Sequence, residues 1–344
     1  MSHAEIIRLI GGTASPYTQK MLALLRYRRL PYAITWGQPA EHCKLLGVVP
    51  PSPALMPTFL FEEQGTVVAV CDSTPIIRRL EQRTSERSVI PTDPALAFMD
   101  YLIEDFADEW CTKYMFHYRW HPAADADNAG TLLPLGFDVS MPDAQLTQFK
   151  SYFTQRQIDR LWVVGSSPET ACTIESSYQR FLAALEAHLA QLPFMLGHRP
   201  GAGDFALYGQ LSQLVGFDPT PRELTHQISP RAVAWVDHLA DQSGADPQAS
   251  DWEVLEDLPS SLNLLLAEMG RVYAPAQLAN ASAQALGNSE WECTIDGAVW
   301  RQRTFPYQAK CLRWTQEQFQ QLSEQDQNRV LARLDGTGIE AMLV

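Results

Sequence analysis

The hydrophobic pattern of this 344-residue chain changes period once near residue 84, and no other feature limits its architecture as much. Before that point short β-branched and aromatic runs alternate with short helical ones. IIRLIGG (6–12), YAITW (32–36) and the two halves of MPTFLFEEQGTVVAV (56–70) have strand character. The turn pair Gln64-Gly65 predicts a hairpin between those halves. Helices are predicted from residue 16, over 39–47 and after Asp72, so the order is β-α-β-α-β-β-α. Beyond the charged, proline-containing stretch TSERSVIPTD (84–93), apolar residues recur at helical spacing over 94–119, 143–162, 168–191, 203–214 and 230–242. Residues 1–83 are therefore expected to form an α/β domain, 84–93 a linker and 94–257 an all-helical bundle. Residues 258–344 form an extension with one or two helices over 259–287, a hairpin through Asp296-Gly297 and a final helix capped by Ser323 and Asp326.

Charge narrows the partners. Residues 1–90 carry ten Lys/Arg against seven Asp/Glu, whereas the rest of the chain carries sixteen against thirty-three. That surplus of acid repels phosphate backbones, so no nucleic-acid partner is expected, while the first segment can accept a small anion. No apolar run reaches the eighteen or so residues needed to cross a bilayer, and the first residues lack the build of a secretory leader. No membrane association and a cytoplasmic location are expected. The six cysteines never form C-x-x-C, which leaves reduced, mostly buried thiols.

Three local features of the first domain carry chemistry. Ser15-Pro16 places a hydroxyl cap and then a proline at a helix start, where free N–H groups and the positive dipole end favour an anion such as a thiolate. Met56-Pro57 opens a strand, and a cis bond there would turn the Met56 backbone outward as an edge for a bound peptide. Asp72-Ser73 opens a further helix whose amides and hydroxyl can hold a carboxylate. Taken singly, each is more often structural, a serine cap above all.

Ser15-Pro16-Tyr17-Thr18, Met56-Pro57, Asp72-Ser73 and Arg199-Pro200-Gly201-Ala202-Gly203-Asp204 together resemble the cytosolic glutathione transferases. The likeness covers about two thirds of the chain and leaves the extension without a counterpart. It implies a thioredoxin-like first domain, a helical second domain, glutathione as co-substrate and a homodimer. It places the cysteinyl backbone on Met56 and Pro57, and the γ-glutamyl carboxylate on Asp72 and Ser73. A free thiol titrates near 8.5, so activation means lowering that value. Serine is too weak an acid or base to take the proton, so Ser15 would donate a hydrogen bond to the sulfur, with Tyr17 as the second candidate. A small apolar electrophile would then be attacked in a pocket lined by Tyr114, Phe116, His117, Trp120 and His121.

Other features have plainer readings. His117 and His121 stand at i,i+4 without an evident third ligand, so no metal is expected. Asp100, Glu104, Asp105, Asp108 and Glu109 are expected to form a solvated helix face. Trp291, Trp300 and Trp314 require the extension to dock, first of all on the chain's own helical domain. Gly201 stands where relatives carry a capping hydroxyl, so Asp204 can reach back to the Gly201 amide but receives nothing in return. A non-catalytic binding or scaffold protein of the same fold is the alternative.

Overall fold

The computed structural model describes residues 6–343. The first segment builds β1 (Ile7–Gly11), α1 (Pro16–Tyr27), β2 (Tyr32–Trp36), α2 (Pro39–Leu45), β3 (Thr58–Glu63), β4 (Thr66–Val70) and α3 (Ser73–Glu81). The sheet order is β2-β1-β3-β4, with β1 parallel to β2 and antiparallel to β3. Leu9 pairs with Phe59 and Ile10 with Thr58, a register that puts the ends of β1 and β3 beside the start of α1. Gln64 and Gly65 both have positive φ (51° and 77°), the left-handed pair that a two-residue hairpin requires. The fold is thus the expected thioredoxin-like unit.

Helices follow: α4 (Pro94–Phe106), α5 (Thr112–Trp120), α6 (Ala123–Leu135), α7 (Asp143–Ile158), α8 (Ala171–Leu189), α9 (Ala202–Gly216), α10 (Pro219–Ile228) and α11 (Pro230–Leu239). A π-helical turn, Ala107–Cys111, joins α4 to α5 and makes one long element of them. Three helices lack clear sequence signals. α6 carries Gly130 and Pro134, α10 has prolines at its first and third positions, and α14 (Pro306–Gln320) starts three residues after a strand. The extension comprises α12 (Ser261–Glu268), a second π turn, α13 (Ala274–Ala285), the hairpin β5 (Glu290–Ile295) and β6 (Ala298–Arg303), α14 and α15 (Glu324–Leu334).

The extension docks on the chain itself. α14 and α15 pack on α4, and Phe319 meets Phe98 with ring centroids 5.5 Å apart. Trp300 lies 5.5 Å from Trp110, and both are buried, as is Trp291. One apolar core therefore runs from Ile7 to Leu343.

That docking overturns the expectation of a solvated acidic face. Asp100, Glu104, Asp105 and Glu109 are buried and Asp108 is nearly so, because side chains of α1 and α3 reach α4 and its π turn, and α9, α14 and α15 pack on α4. Each carboxylate has a partner from far along the chain. Glu104 holds Lys20 (3.0 Å), Arg78 (3.0 Å) and Thr74 (2.9 Å); Asp105 accepts from Tyr273; Glu109 faces the Cys311 thiol. Asp100 accepts from the Gly203 and Ala202 amides at 2.9 and 3.2 Å. This last pair explains Gly201. Asp204 does bond the Gly201 amide (2.9 Å), and the missing reciprocal oxygen comes from Asp100, whose carboxylate fills the space a side chain at Gly201 would need.

Candidate functional site

The turn between β1 and α1 is held from three directions. Ser15 N–H donates to the Gly12 carbonyl (3.2 Å), the Gly12 amide reaches Thr18 Oγ1 (3.3 Å), and Gln19 bonds the Thr13 carbonyl (2.7 Å). From α5, buried Arg119 donates to the Ala14 carbonyl (2.9 Å) while paired with buried Asp218 (2.9 Å) and bonded to Gln213 (3.0 Å). A fully desolvated, multiply bonded arginine of this kind is costly to break. It fixes the turn to the helical domain.

Ser15 has extended backbone (φ −100°, ψ 117°), and its Oγ accepts from the Thr18 amide at 3.2 Å. Its own proton has no acceptor among the described residues, and the side chain is partly exposed. No acidic residue lies in the first turn of α1, so nothing of the helix's own offsets its positive end. Tyr17 differs. Its phenol donates to the Asp108 carbonyl (2.9 Å), and burial, then Asp108 and Glu109, push its pKa well above the usual value. Its proton is committed to the α4–α5 joint.

The Met56–Pro57 bond is cis, and neither backbone group of Met56 has a partner among the described residues. The Met56 side chain folds over the turn, where a methyl group at Gly12 would lie 3.0 Å from its sulfur and 3.6 Å from the Phe137 ring. The α6–α7 connection thus stands beside Gly12 and Thr13 of this turn, which no sequence signal marks.

Asp72 has φ +86°, unusual for a non-glycine residue, and makes no capping bond to α3. Its carboxylate instead accepts from the Tyr307 hydroxyl at 2.7 Å. The Ser73 and Thr74 amides at the head of α3 have no partner among the described residues. Ser73 Oγ accepts from Lys20 Nζ (2.9 Å), which also holds Asp108 (2.7 Å) and Glu104. Burial alone would lower the Lys20 pKa, but Asp108 and Glu104 outweigh it and keep the ammonium charged. Because Lys20 donates to Ser73, the serine's own proton points elsewhere. Head amides and this hydroxyl form a ready set of donors for a carboxylate.

Most of the residues expected to line an electrophile pocket are not at a surface. Tyr114 and His117 are fully buried and Trp120 is 2% exposed. Tyr114 bonds Ser177 (2.7 Å), and His117 uses both ring nitrogens, on Ser166 (2.8 Å) and Glu175 (3.3 Å). Burial, then stacked His121, pushes the His117 pKa down to about 3, so the ring is neutral. The reason is the outer cover: α8 packs on this face of α5, and α6 and α7 shield Trp120. Phe116 is half-buried against Trp120 and His121 is exposed. Among the described residues no group of His, Cys, Asp and Glu could hold a metal ion, and no helix is long and apolar enough to cross a membrane.

Comparison with known proteins bears on the family. Residues 9–88 match the family model of the glutathione S-transferase N-terminal domain, and residues 155–252 match that of the C-terminal domain. No curated protein matches the chain. Similar solved structures include a glutathione transferase family member from Pseudomonas fluorescens with two glutathiones bound, at 15% identity and TM-score 0.41, covering 70% of this chain and 95% of that one. Another is a glutathione transferase from Burkholderia graminis with two glutathiones per subunit, at 16% identity and TM-score 0.39, covering 69% and 90%. A third, from Methylobacterium radiotolerans in complex with glutathione sulfonate, has 16% identity and TM-score 0.36, covering 71% and 99%. The two family models fall on the thioredoxin-like unit and on the later helices of the bundle, and together they span just over half of the sequence. The chain belongs to the glutathione S-transferase family.

Proposed function

We propose that the protein binds glutathione and activates its thiol for attack on a small apolar electrophile. One observation carries the reading: the Ser15 hydroxyl sits at an unneutralised helix start with its proton unspent, on the turn that the Met56 side chain covers. A tripeptide laid along the Met56 backbone would place its sulfur at Ser15 and its γ-glutamyl carboxylate on Ser73 and the amides at the head of α3. Ser15 then donates to the sulfur, and the helix end adds positive potential, so the thiolate becomes populated at neutral pH. The proton leaves to solvent and the thiolate forms the new carbon–sulfur bond, while the acceptor either releases its leaving group with the bonding electrons or, in an addition, takes a proton from water on the atom that receives them. Met56 and Phe137 form the apolar wall for the acceptor in this reading, in place of buried Tyr114, His117 and Trp120.

The protein acts in the cytoplasm in this reading, as a homodimer. Since α14 and α15 cover α4, a second copy would meet the loop after α2, where Leu45, Leu46, Val49 and Leu55 are exposed. Calorimetry with reduced glutathione tests the main reading. Heat at millimolar ligand, with conjugation of a model electrophile that falls about a hundredfold in Ser15→Ala, is expected for a lost donor to a developing anion. No heat would favour the scaffold alternative.

A further inference from the structure

The extension that lies outside both family models reaches the head of α3. α14 begins where Asn280 of α13 clamps Phe305, donating to its carbonyl (2.9 Å) and accepting from its amide (2.7 Å). Gln308, one residue beyond Tyr307, is buried and bonds the Glu109 carbonyl (3.4 Å), and Cys311, one turn on, faces the Glu109 carboxyl. These anchors fix the first turn of α14 against the α4–α5 joint. Tyr307 projects from that turn, 37% exposed, and gives its proton to Asp72 Oδ2.

Asp72 needs such a partner. It occupies a positive-φ conformation and has no bond to its own helix. With Tyr307 on Oδ2, the other oxygen, Oδ1, has no partner among the described residues, and the next residue along the chain is Ser73, whose amide is unpaired and whose hydroxyl proton is not used by Lys20. A group carrying both an ammonium and a carboxylate on one carbon suits that pairing: the ammonium on Asp72, the carboxylate on Ser73. The γ-glutamyl end of glutathione is such a group. Burial, then Cys311 and Asp72, push the Tyr307 pKa above that of an ordinary phenol, so it stays a donor throughout the neutral range.

We propose that Tyr307, supplied by the C-terminal extension, is a positioning residue that aims the Asp72 carboxylate at the γ-glutamyl ammonium, so that the extension completes the tripeptide site in cis. The inference rests on the glutathione reading given above. It makes the extension part of ligand recognition.

Calorimetry on the full chain tests it, with glutathione and with cysteinylglycine, which lacks the γ-glutamyl group. Tyr307→Phe should weaken glutathione about tenfold, the weight of one hydrogen bond to a charged group, and leave cysteinylglycine unchanged. In an Asp72→Asn background the same substitution should cost less than twofold, because the charge it aims is gone. Equal loss of both ligands means that Tyr307 only supports the fold, and unchanged glutathione affinity means that it does nothing to the site; either overturns the proposal while the glutathione reading stands. Absence of glutathione binding by the unaltered protein removes both. Hydrogen exchange needs no variant: glutathione should slow exchange at amides 307–311, and unchanged exchange there counts against the proposal.

Discussion

Two helix starts in this molecule solve the same problem in opposite ways. At α1 the cap is local: Ser15 satisfies the Thr18 amide, remains partly exposed, and keeps its proton. At α9 the cap comes from elsewhere. Gly201 has no side chain, Asp204 turns back onto the Gly201 amide, and Asp100 crosses from α4 to take the Ala202 and Gly203 amides, all of them buried. A helix end closed by a remote buried carboxylate has no field left for a ligand, whereas one closed by its own small hydroxyl can share that field with an incoming anion. The difference separates architecture from function.

The largest test of that comparison strikes the closed end. Asp100→Ala would leave the buried Gly203 amide without an acceptor and the Ala202 amide with the Val89 carbonyl alone, at a cost of about 2 kcal/mol in denaturant unfolding. Gly201→Ser in the unaltered protein would also destabilise, because its side chain would overlap the Asp100 carboxylate. Combined, the two changes should recover about 1 kcal/mol relative to Asp100→Ala alone, since the serine then supplies a local cap in vacated space. If the pair merely adds, Asp100 is not the replacement cap.

A second test uses the same acidic stripe through pH. Burial, then Asp105 and Asp108, raises the Glu109 carboxyl to about 8, against an ordinary value near 4.5. The folded state therefore keeps a proton that the unfolded chain releases. This contribution to stability is complete below about pH 4.5 and is lost as pH rises toward 8. Glu109→Gln carries no such proton, so its stability relative to the unaltered protein should improve steadily as pH rises from about 4.5 to about 8. A constant difference across that range would mean that the Glu109 carboxyl titrates normally.

What could be seen in advance follows the same division. Features closed within a few residues were legible: the Ser15-Pro16 helix start, the hairpins at Gln64-Gly65 and Asp296-Gly297, the Ser323 cap and the cis Met56–Pro57 bond. Features completed from afar were not. An acid at 100, 104, 105, 108 and 109 looks the same on a wet helix as on a buried one, because Lys20, Arg78, Tyr273 and the Gly203 amide are invisible neighbours along the chain. Tyr114 and His117 failed for the same reason: their periodicity marks a face of α5, and only packing shows that α8 covers it. Of the site at α1 and α3, Ser15, Met56, Asp72 and Ser73 are brought to one end of the sheet, while Lys20, Arg119, Phe137 and Tyr307 lacked any local signal.

The smallest effect expected is the most discriminating one. Ser15→Ala removes a partly exposed cap from a helix whose inner face, Met21 to Leu25, is wholly buried, so unfolding should change by only about 1 kcal/mol. Ser15→Thr keeps the capping oxygen and should stay within a few tenths of the unaltered stability. If Ser15→Ala instead costs as much as Asp100→Ala, the α1 start is as structural as that of α9, and its hydroxyl has no claim to be held in reserve for a ligand. A small loss of stability beside a large loss of thiol activation would show that the open end works on something other than the fold.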